Sequence, residues 1–210
     1  MIILFEDNHL IIVDKPAGLP TQVSLDHKKA LETKLKAFIK KRDKKEGNVY
    51  LHAVHRLDKE VSGIVIFAKT SKALSRMQEH LRNGLVEKLY QAEVEGVLAK
   101  SSSRLINYLV KKPHRSVVYK QASKEAKKAE LTYRVLRQEG NRAFLEIKLI
   151  TGRYHQIRVQ LSHLGHPVIG DSKYGSSKQK SSIALKHIRV SFPHIITKEK
   201  MTVTLDAKMD

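Results

Sequence analysis

The chain has 210 residues, of which 41% are hydrophobic, so its length and composition suit one globular domain with a substantial core. Its 40 lysines and arginines outnumber 21 acidic residues and give a net charge of +19. This charge favours an anionic partner, most commonly nucleic acid, over the alternatives of a solubility surface or a structural role at the ribosome. The absence of cysteine excludes a disulfide framework, a cysteine zinc site and a thiol nucleophile.

The first residues predict no targeting segment. An apolar run from Met1 to Phe5 is followed at once by acidic residues and lacks the basic region and cleavage site of a signal peptide. No apolar run approaches the roughly 20 residues that a membrane span needs. The sequence therefore predicts a soluble cytoplasmic protein without membrane contact.

The first half of the chain alternates strand and helix patterns. Residues 2–5 and 10–13 predict two strands around a turn at Asp7 and Asn8. Apolar residues at helical spacing then predict an amphipathic helix over residues 27–42: Leu31, Leu35, Phe38 and Ile39. Five cations near its end complement the helix C-terminus in part and otherwise form a candidate RNA-facing patch: Lys40, Lys41, Arg42, Lys44 and Lys45.

Residues 64–68 are wholly apolar and predict a buried strand. A helix capped by Ser71 follows and ends at Asn83 and Gly84. Its apolar face consists of Leu74, Met77 and Leu81. Residues 89–97 and 129–151 are strand-like, and the very basic stretch 111–128 between them predicts an exposed hairpin or loop.

Another helix is predicted to open at Thr151–Arg153 and to end at Gly165. Its apolar face consists of Ile157, Leu161 and Leu164. The final strands are predicted over residues 183–192 and 201–205. Together these elements predict a single α+β domain over residues 1–210, rich in strands, with two or three helices.

Asp58 is the first candidate for chemistry. It lies between Arg56 and Lys59 in sequence and just before an apolar strand, where it is placed to face a cleft. Nearby cations favour the ionised, nucleophilic form of a carboxylate. For a lone aspartate beside an arginine, however, a structural salt bridge is the more common explanation.

Two further groups contain candidate residues. His155, Arg158 and Ser162 share a predicted helical face, from which Arg158 could reach a carboxylate in the cleft; taken alone, His155 and Arg158 are more often phosphate or surface contacts. Tyr90 opens a strand-like segment, and a tyrosine can stack on a base and offer its hydroxyl for proton transfer. The alternative for Tyr90 is an ordinary core residue.

Familiar cofactor and catalytic motifs are missing from the sequence. It has no Gly-rich phosphate loop, no dinucleotide fingerprint and no Gly-x-Ser-x-Gly elbow. His52 and His55 are three residues apart, a spacing that would bring them together on a helix. Their segment is predicted to be a loop, so no metal is expected. The prediction is accordingly no metal and no cofactor.

In this order, the motifs resemble those of the RluA-type family of pseudouridine synthases. The matching text is LIIVDKPAG at residues 10–18, HRLDKEVSGIVIFAK at 55–69, KLYQA at 88–92, TGRYHQIR at 151–158, GHPVIGD at 165–171 and YG at 174–175. The likeness runs from about residue 3 to the last strand. A single motif would be weak, whereas the ordered set is highly specific.

This resemblance implies a mixed, largely antiparallel sheet split by an active-site cleft and flanked by helices, and an isomerase that converts uridine to pseudouridine in RNA. It assigns Asp58 as the nucleophile, Tyr90 as the residue that stacks on the base and assists proton removal, and Arg158 as the partner of the aspartate. It links Arg56 to displacing the base and holding it flipped out. Substrate contacts are expected from His55, Arg153 and His155. The reaction changes no oxidation state and adds no group, so no cofactor is required.

The sequence departs from the usual family pattern at a few positions: Val61, Tyr154, Gln160 and residues 184–187. None of these is Asp58, Tyr90 or Arg158, so activity is still expected, but the choice of substrate cannot be transferred. Because the chain starts almost directly at the catalytic domain, no S4-like RNA-binding module is expected. A monomer whose own basic surface binds ribosomal or transfer RNA is the resulting prediction.

Two alternatives stay open. The first is a non-catalytic RNA-binding or ribosome-assembly protein on the same scaffold, against which the three catalytic candidates argue. The second is a metal-dependent nuclease, which the sequence disfavours because it lacks clustered carboxylates.

Overall fold

A computed structural model describes residues 2–23 and 29–206, which form two compact units. The first unit reaches Val86 and also includes Arg189–Asp206, and the second consists of Glu87–Ile188. The described part of the chain contains eleven strands, three α-helices and one 3-10 helix. Eight of the pairings between these strands are antiparallel, and the predicted α+β class with a large, mostly antiparallel sheet is confirmed.

The first unit is built on a strand pair that the sequence predicted. Its elements are β1 (Ile2–Glu6), β2 (Leu10–Lys15), α1 (Leu31–Arg42), β3 (His52–Ala53), β4 (Ser62–Ala68), α2 (Ser71–Arg82) and β11 (Lys200–Thr204). Strand β2 pairs with β1 on one side and with β4 on the other, so its apolar run is buried. The core of the unit combines side chains from β2, β4 and α2, among them Leu10, Ile64, Ile66 and Met77.

The second unit is built on five antiparallel strands. It contains β5 (Glu87–Glu95), β6 (Ser102–Lys112), β7 (Arg115–Tyr119), β8 (Lys127–Gln138), β9 (Arg142–Leu149), α3 (Gln156–His163) and the 3-10 helix Ser172–Tyr174. These strands lie in the order β5-β9-β8-β6-β7, in which two pairs, β6 with β7 and β8 with β9, are consecutive in the chain. A small core joins Leu109, Ala129, Val159 and Tyr174, and it fixes α3 in the unit. Strand β10 (Leu185–Pro193) leads the chain into the first unit.

The predicted hairpin over residues 111–128 is confirmed in part. Lys112 lies opposite Arg115 across the tight turn between β6 and β7, and both residues are exposed. The sequence did not predict that β6 would begin as early as Ser102. It also treated residues 129–151 as one strand-like stretch, which the structure divides into β8 and β9.

All three predicted helices exist, but their starts differ from the prediction. Helix α1 begins at Leu31 rather than at residue 27, and residues 24–28 lie outside the described part of the chain. Helix α2 is capped by Thr70 rather than Ser71, since the Thr70 hydroxyl accepts the N–H of Ala73 at 3.1 Å. Helix α3 begins at Gln156 rather than at Thr151–Arg153.

Within residues 2–23 and 29–206, none of the helices combines the length and the apolar stretch needed to cross a bilayer.

Candidate active site

Asp58 lies in the short loop between β3 and β4 of the first unit and is partly exposed. The loop is anchored on both sides of this residue. The N–H of Gly18 donates to the carbonyl of Lys59 at 2.8 Å, and the hydroxyl of Thr21 donates to the carbonyl of Leu57 at 2.9 Å. The same hydroxyl accepts the N–H of Leu57 at 3.2 Å. The backbone that presents the Asp58 carboxylate is therefore fixed by the segment following β2.

Lys15, at the end of β2, joins these two segments. Its side chain is fully buried, and its ammonium donates to the carbonyls of Leu19 at 2.7 Å, Pro16 at 2.9 Å and Lys59 at 3.1 Å. Burial lowers the pKa of Lys15 to about 8, although the nearby carboxylate of Asp58 acts in the opposite direction. A buried cation thus lies close enough to Asp58 for the two charges to interact.

His55 and Arg56 occupy the same loop. The Nε2 atom of His55 accepts the N–H of Ile66 at 3.4 Å, which ties the ring to β4. Arg56 is exposed, and within the described residues its guanidinium forms neither an ion pair nor a side-chain hydrogen bond. Its side chain is therefore available to a ligand.

Arg158 is buried on α3 of the second unit. Its Nε donates to Oδ2 of Asp171 at 2.6 Å, and its Nη2 donates to Oδ1 at 2.8 Å. This is the two-pronged geometry in which arginine binds a carboxylate most strongly. The guanidinium carbon also lies 5.1 Å from the centre of the Tyr174 ring. The predicted carboxylate partner of Arg158 was Asp58, and that pairing stays a prediction; the ion pair with Asp171 was not predicted.

His155 precedes α3 as its N-cap, with a left-handed backbone at φ 53°. It therefore lies at the helix boundary rather than within the helix, but His155, Arg158 and Ser162 all lie against Tyr174, which agrees with the predicted shared face. Its ring is buried, stacks on Tyr154 at 3.8 Å and lies with Nδ1 2.9 Å from the hydroxyl of Tyr174. Burial, followed by the charges of Arg158 and Lys173, lowers the pKa of His155 to about 3, so the imidazole is neutral near pH 7.

Tyr174 connects several of these elements. Its hydroxyl accepts the backbone N–H of Ser116 on β7 at 2.7 Å, and its carbonyl accepts the hydroxyl of Ser162 on α3 at 2.6 Å. With His155 also bound to the hydroxyl, Tyr174 fixes the start of α3 against β7.

Arg153 lies in the loop that leads into α3. It is exposed, and its Nε donates to the carbonyl of Lys128 at 2.9 Å. Its backbone N–H donates to Oε1 of Gln156 at 2.9 Å, and the hydroxyl of Thr151 donates to the same oxygen at 2.7 Å. The Gln156 side chain therefore shapes residues 151–155 into a loop, which explains why the helix starts later than predicted.

Tyr90 is buried on β5, and only 5% of its surface is exposed. Its ring stacks on His187 of β10, with ring centres 4.5 Å apart and an angle of 18° between the planes. One face of the tyrosine is therefore covered. That a base stacks on the other face stays a prediction.

Each unit brings together one part of the predicted site. In the first unit these residues are His55, Arg56 and Asp58, and in the second they are Tyr90, Arg153, His155 and Arg158. Sequence reasoning gave no role to Lys15, Asp171 or Tyr174, although each lies in one of the matched motifs. Their only signal was membership of those motifs, because their partners are distant in sequence.

A sequence model of the RNA pseudouridylate synthase family matches residues 9–163, a stretch that includes Asp58, Tyr90 and Arg158. The chain belongs to this family. It is 34% identical over 200 residues to an uncharacterized RNA pseudouridine synthase of Bacillus subtilis, YhcT. This alignment covers 94% of this chain and 65% of that protein. The chain is 35% identical to the ribosomal large subunit pseudouridine synthase D of Pseudomonas aeruginosa, over 82% of this chain and 53% of that protein. The chain thus spans between about half and two thirds of the length of these curated relatives.

The fold is also found among solved structures. Human RNA pseudouridylate synthase domain containing 4 superposes with a TM-score of 0.82 at 25% identity, over 98% of this chain and 88% of that one. The human domain containing 1 protein superposes with a TM-score of 0.77 at 21% identity, over 97% of this chain and 82% of that one, which supports the fold alone.

Proposed function

We propose that this chain is an RNA pseudouridine synthase, which isomerises selected uridines of RNA to pseudouridine with Asp58 as the nucleophile. The observation that carries the proposal is the anchored loop of Asp58, whose neighbours on both sides are bound by the segment Lys15–Thr21 and whose carboxylate lies near a buried ammonium. Membership of the family and a net charge of +19 support an RNA substrate.

The reaction exchanges one bond for another within the same nucleotide. The bond between N1 and C1′ of uridine breaks, a bond between C5 and C1′ forms, C5 loses a proton, and N1 of the rotated base carries one. Oxidation states do not change, and no group enters or leaves. The chemistry therefore requires a carboxylate, a proton acceptor and a closed pocket that retains the detached base. The target must also be extruded from stacked RNA.

The proposed roles are those that the resemblance to the family implies for these residues. Asp58 attacks C1′ or C6, or assists elimination at the sugar, and Arg158 is its cationic partner. Tyr90 stacks on the uracil and accepts the C5 proton. Arg56, exposed beside Asp58, displaces the base and holds the flipped conformation, while His55, Arg153 and His155 contact the RNA around it.

We further propose ribosomal RNA as the first substrate class to test, because relatives carry names that refer to the large ribosomal subunit; transfer RNA is the second. We propose that the chain acts as a monomer in the cytoplasm, as a single catalytic domain and without a cofactor. Analytical ultracentrifugation of the purified chain, with and without RNA, measures the oligomeric state directly.

The experiment that tests the proposed function compares Asp58→Asn with wild type. Each is expressed in a strain that lacks the gene, and pseudouridine is mapped at single-nucleotide resolution in ribosomal and transfer RNA. The wild type should restore at least one site, and Asp58→Asn should restore none while keeping its melting temperature and RNA affinity. Asp43→Asn, a change at an exposed aspartate, is the matched control and should behave as wild type. If no uridine changes in any strain, the chain is a non-catalytic RNA-binding protein.

A further inference from the structure

Lys88, at the start of the KLYQA motif on β5, is a largely buried lysine that the proposed mechanism does not use. Within residues 2–23 and 29–206, its ammonium forms neither an ion pair nor a hydrogen bond. Lys15 offers a contrast, since its buried ammonium donates three hydrogen bonds to carbonyl oxygens. Lys88 is therefore a partly buried cation to which, among the described residues, no ion-pair or hydrogen-bond partner is joined.

This arrangement is unfavourable for the folded protein. Burial lowers the pKa of Lys88, and no neighbouring charge offsets that effect. Leaving a buried charge without a partner costs several kcal/mol in general. A ligand can supply the missing charge, so partly buried cations without a partner are candidates for functional sites.

The ammonium lies beside residues already placed in the candidate site. Lys88 and Tyr90 are two residues apart on β5, so their side chains leave the same face of the strand. Lys88 lies opposite Leu149, the last residue of β9, and the chain then turns through Gly152. A methyl group added at Gly152 would come within 3.4 Å of the Lys88 ammonium. The missing side chain at Gly152 thus leaves room beside the charge.

We infer that Lys88 and the Gly152–Arg153 loop bind a phosphodiester of the RNA, which seats the nucleotide whose base reaches Tyr90. The inference rests on the proposed function for its choice of RNA. A phosphate supplies the negative charge that the ammonium lacks, which a neutral base carbonyl cannot do. Arg153 adds a second cation, because its Nε is held by the carbonyl of Lys128 while, among the described residues, its terminal nitrogens form no hydrogen bond.

The test compares Lys88→Met, which keeps the length of the side chain but removes its charge, with Lys88→Arg and with the control Lys100→Met at an exposed lysine. The probes are a transcript of large-subunit ribosomal RNA and a mixed-sequence single strand of about 30 nucleotides. Lys88→Met should weaken binding about tenfold or more, the value of one charged hydrogen bond. The slope of log affinity against log salt should become shallower by about 0.7–0.9. Lys88→Arg should keep most of the affinity, and Lys100→Met should change little.

Thermal unfolding separates this role from a structural one. Because Lys88→Met removes a partly buried charge that has no counter-charge, its melting temperature should equal or exceed that of wild type, while KM for RNA rises and kcat changes by no more than about threefold. A lower melting temperature with unchanged RNA affinity would overturn the inference, as would an affinity loss no larger than that of Lys100→Met. Polyglutamate that binds as tightly as RNA, and loses the same factor in Lys88→Met, would also overturn it.

The outcomes for binding and for catalysis are independent. If wild type forms no pseudouridine but Lys88→Met still lowers both the affinity and the salt slope, the phosphate site stands and the isomerase proposal fails. If wild type forms pseudouridine and Lys88→Met binds both probes like wild type, the isomerase proposal stands and the phosphate site fails.

Discussion

Arg158 and Asp171 form a buried ion pair with two hydrogen bonds, of 2.6 Å and 2.8 Å, in the interior of the second unit. The pair uses Nε and Nη2 of the arginine and so fixes the plane of the guanidinium. Asp171 therefore acts as a positioning residue for Arg158. Tyr174, whose ring lies 5.1 Å from the guanidinium carbon, adds a second constraint on the same group.

Asp171→Asn should destabilise the protein and lower its activity through Arg158. The substitution keeps the shape of the side chain but removes the buried negative charge to which Arg158 donates two hydrogen bonds, for which a loss of about 3–5 kcal/mol in the free energy of unfolding is expected. Urea unfolding measures the loss. The control is Glu146→Gln, which breaks the exposed pair with Arg134 and should cost less than about 1 kcal/mol. Equal losses in the two variants would show that the Arg158–Asp171 pair is no more important than a surface contact.

His155→Asn should reduce the acid sensitivity of the fold. In the folded protein the pKa of His155 is about 3, against 6.5 in a free histidine, so as pH falls below about 6.5 the unfolded chain binds a proton that the folded chain does not. The stability that neutral His155 contributes is complete above that pH and is lost towards pH 3. Between pH 7 and pH 5 the wild type should lose about 2 kcal/mol more than His155→Asn. Asparagine suits the test because it tolerates the left-handed backbone at this position.

Urea unfolding at pH 7, 6 and 5 gives this difference, because other titrating groups contribute equally to both proteins and cancel. Parallel curves for the two proteins would mean that His155 titrates at an ordinary pH despite its burial.

Lys15→Met should loosen the loop that carries Asp58. The change removes three hydrogen bonds and leaves the carbonyls of Pro16, Leu19 and Lys59 without that donor, so the free energy of unfolding should fall by about 2–4 kcal/mol. Pseudouridine formation should fall as well, since the backbone beside Asp58 loses an anchor. Lys59→Met, a change at an exposed lysine in the same loop, is the control. If Lys59→Met proves as damaging as Lys15→Met, the three hydrogen bonds do not anchor the loop.

Local patterns were enough to locate most of the strands and helices. Residues 10–13 and 64–68 are uninterrupted apolar runs, and the structure buries them as paired strands β2 and β4. The start of α1 could not be predicted in this way. The N–H groups of Leu31 and Glu32 bind the carbonyls of Pro20 and Thr21, so a loop outside the helix determines where it begins.

In the candidate site too, local patterns predicted some features, whereas others depend on contacts between distant residues. The matched motifs identified Asp58, Tyr90 and Arg158 as candidates, because each is recognisable from its neighbours in sequence. The contacts that hold such residues join positions far apart in the chain: Lys15 reaches Lys59 across 44 residues, and Arg158 reaches Asp171 across 13. No local pattern encodes these distances, so they became visible only in the folded chain.

Lys44→Gly should stabilise the first unit, because Lys44 follows α1 in a left-handed conformation, at φ 49°. The turn is closed by the N–H of Lys45, which donates to the carbonyl of Lys40 at 3.0 Å, and glycine adopts this helix-ending conformation without strain. The free energy of unfolding in urea should rise by about 0.5–1 kcal/mol. Lys45→Gly, at a neighbouring lysine without a positive φ, should give no gain. If Lys44→Gly gains stability but binds RNA more weakly than wild type, then the predicted RNA-facing patch at residues 40–45 explains why a lysine occupies a position that favours glycine.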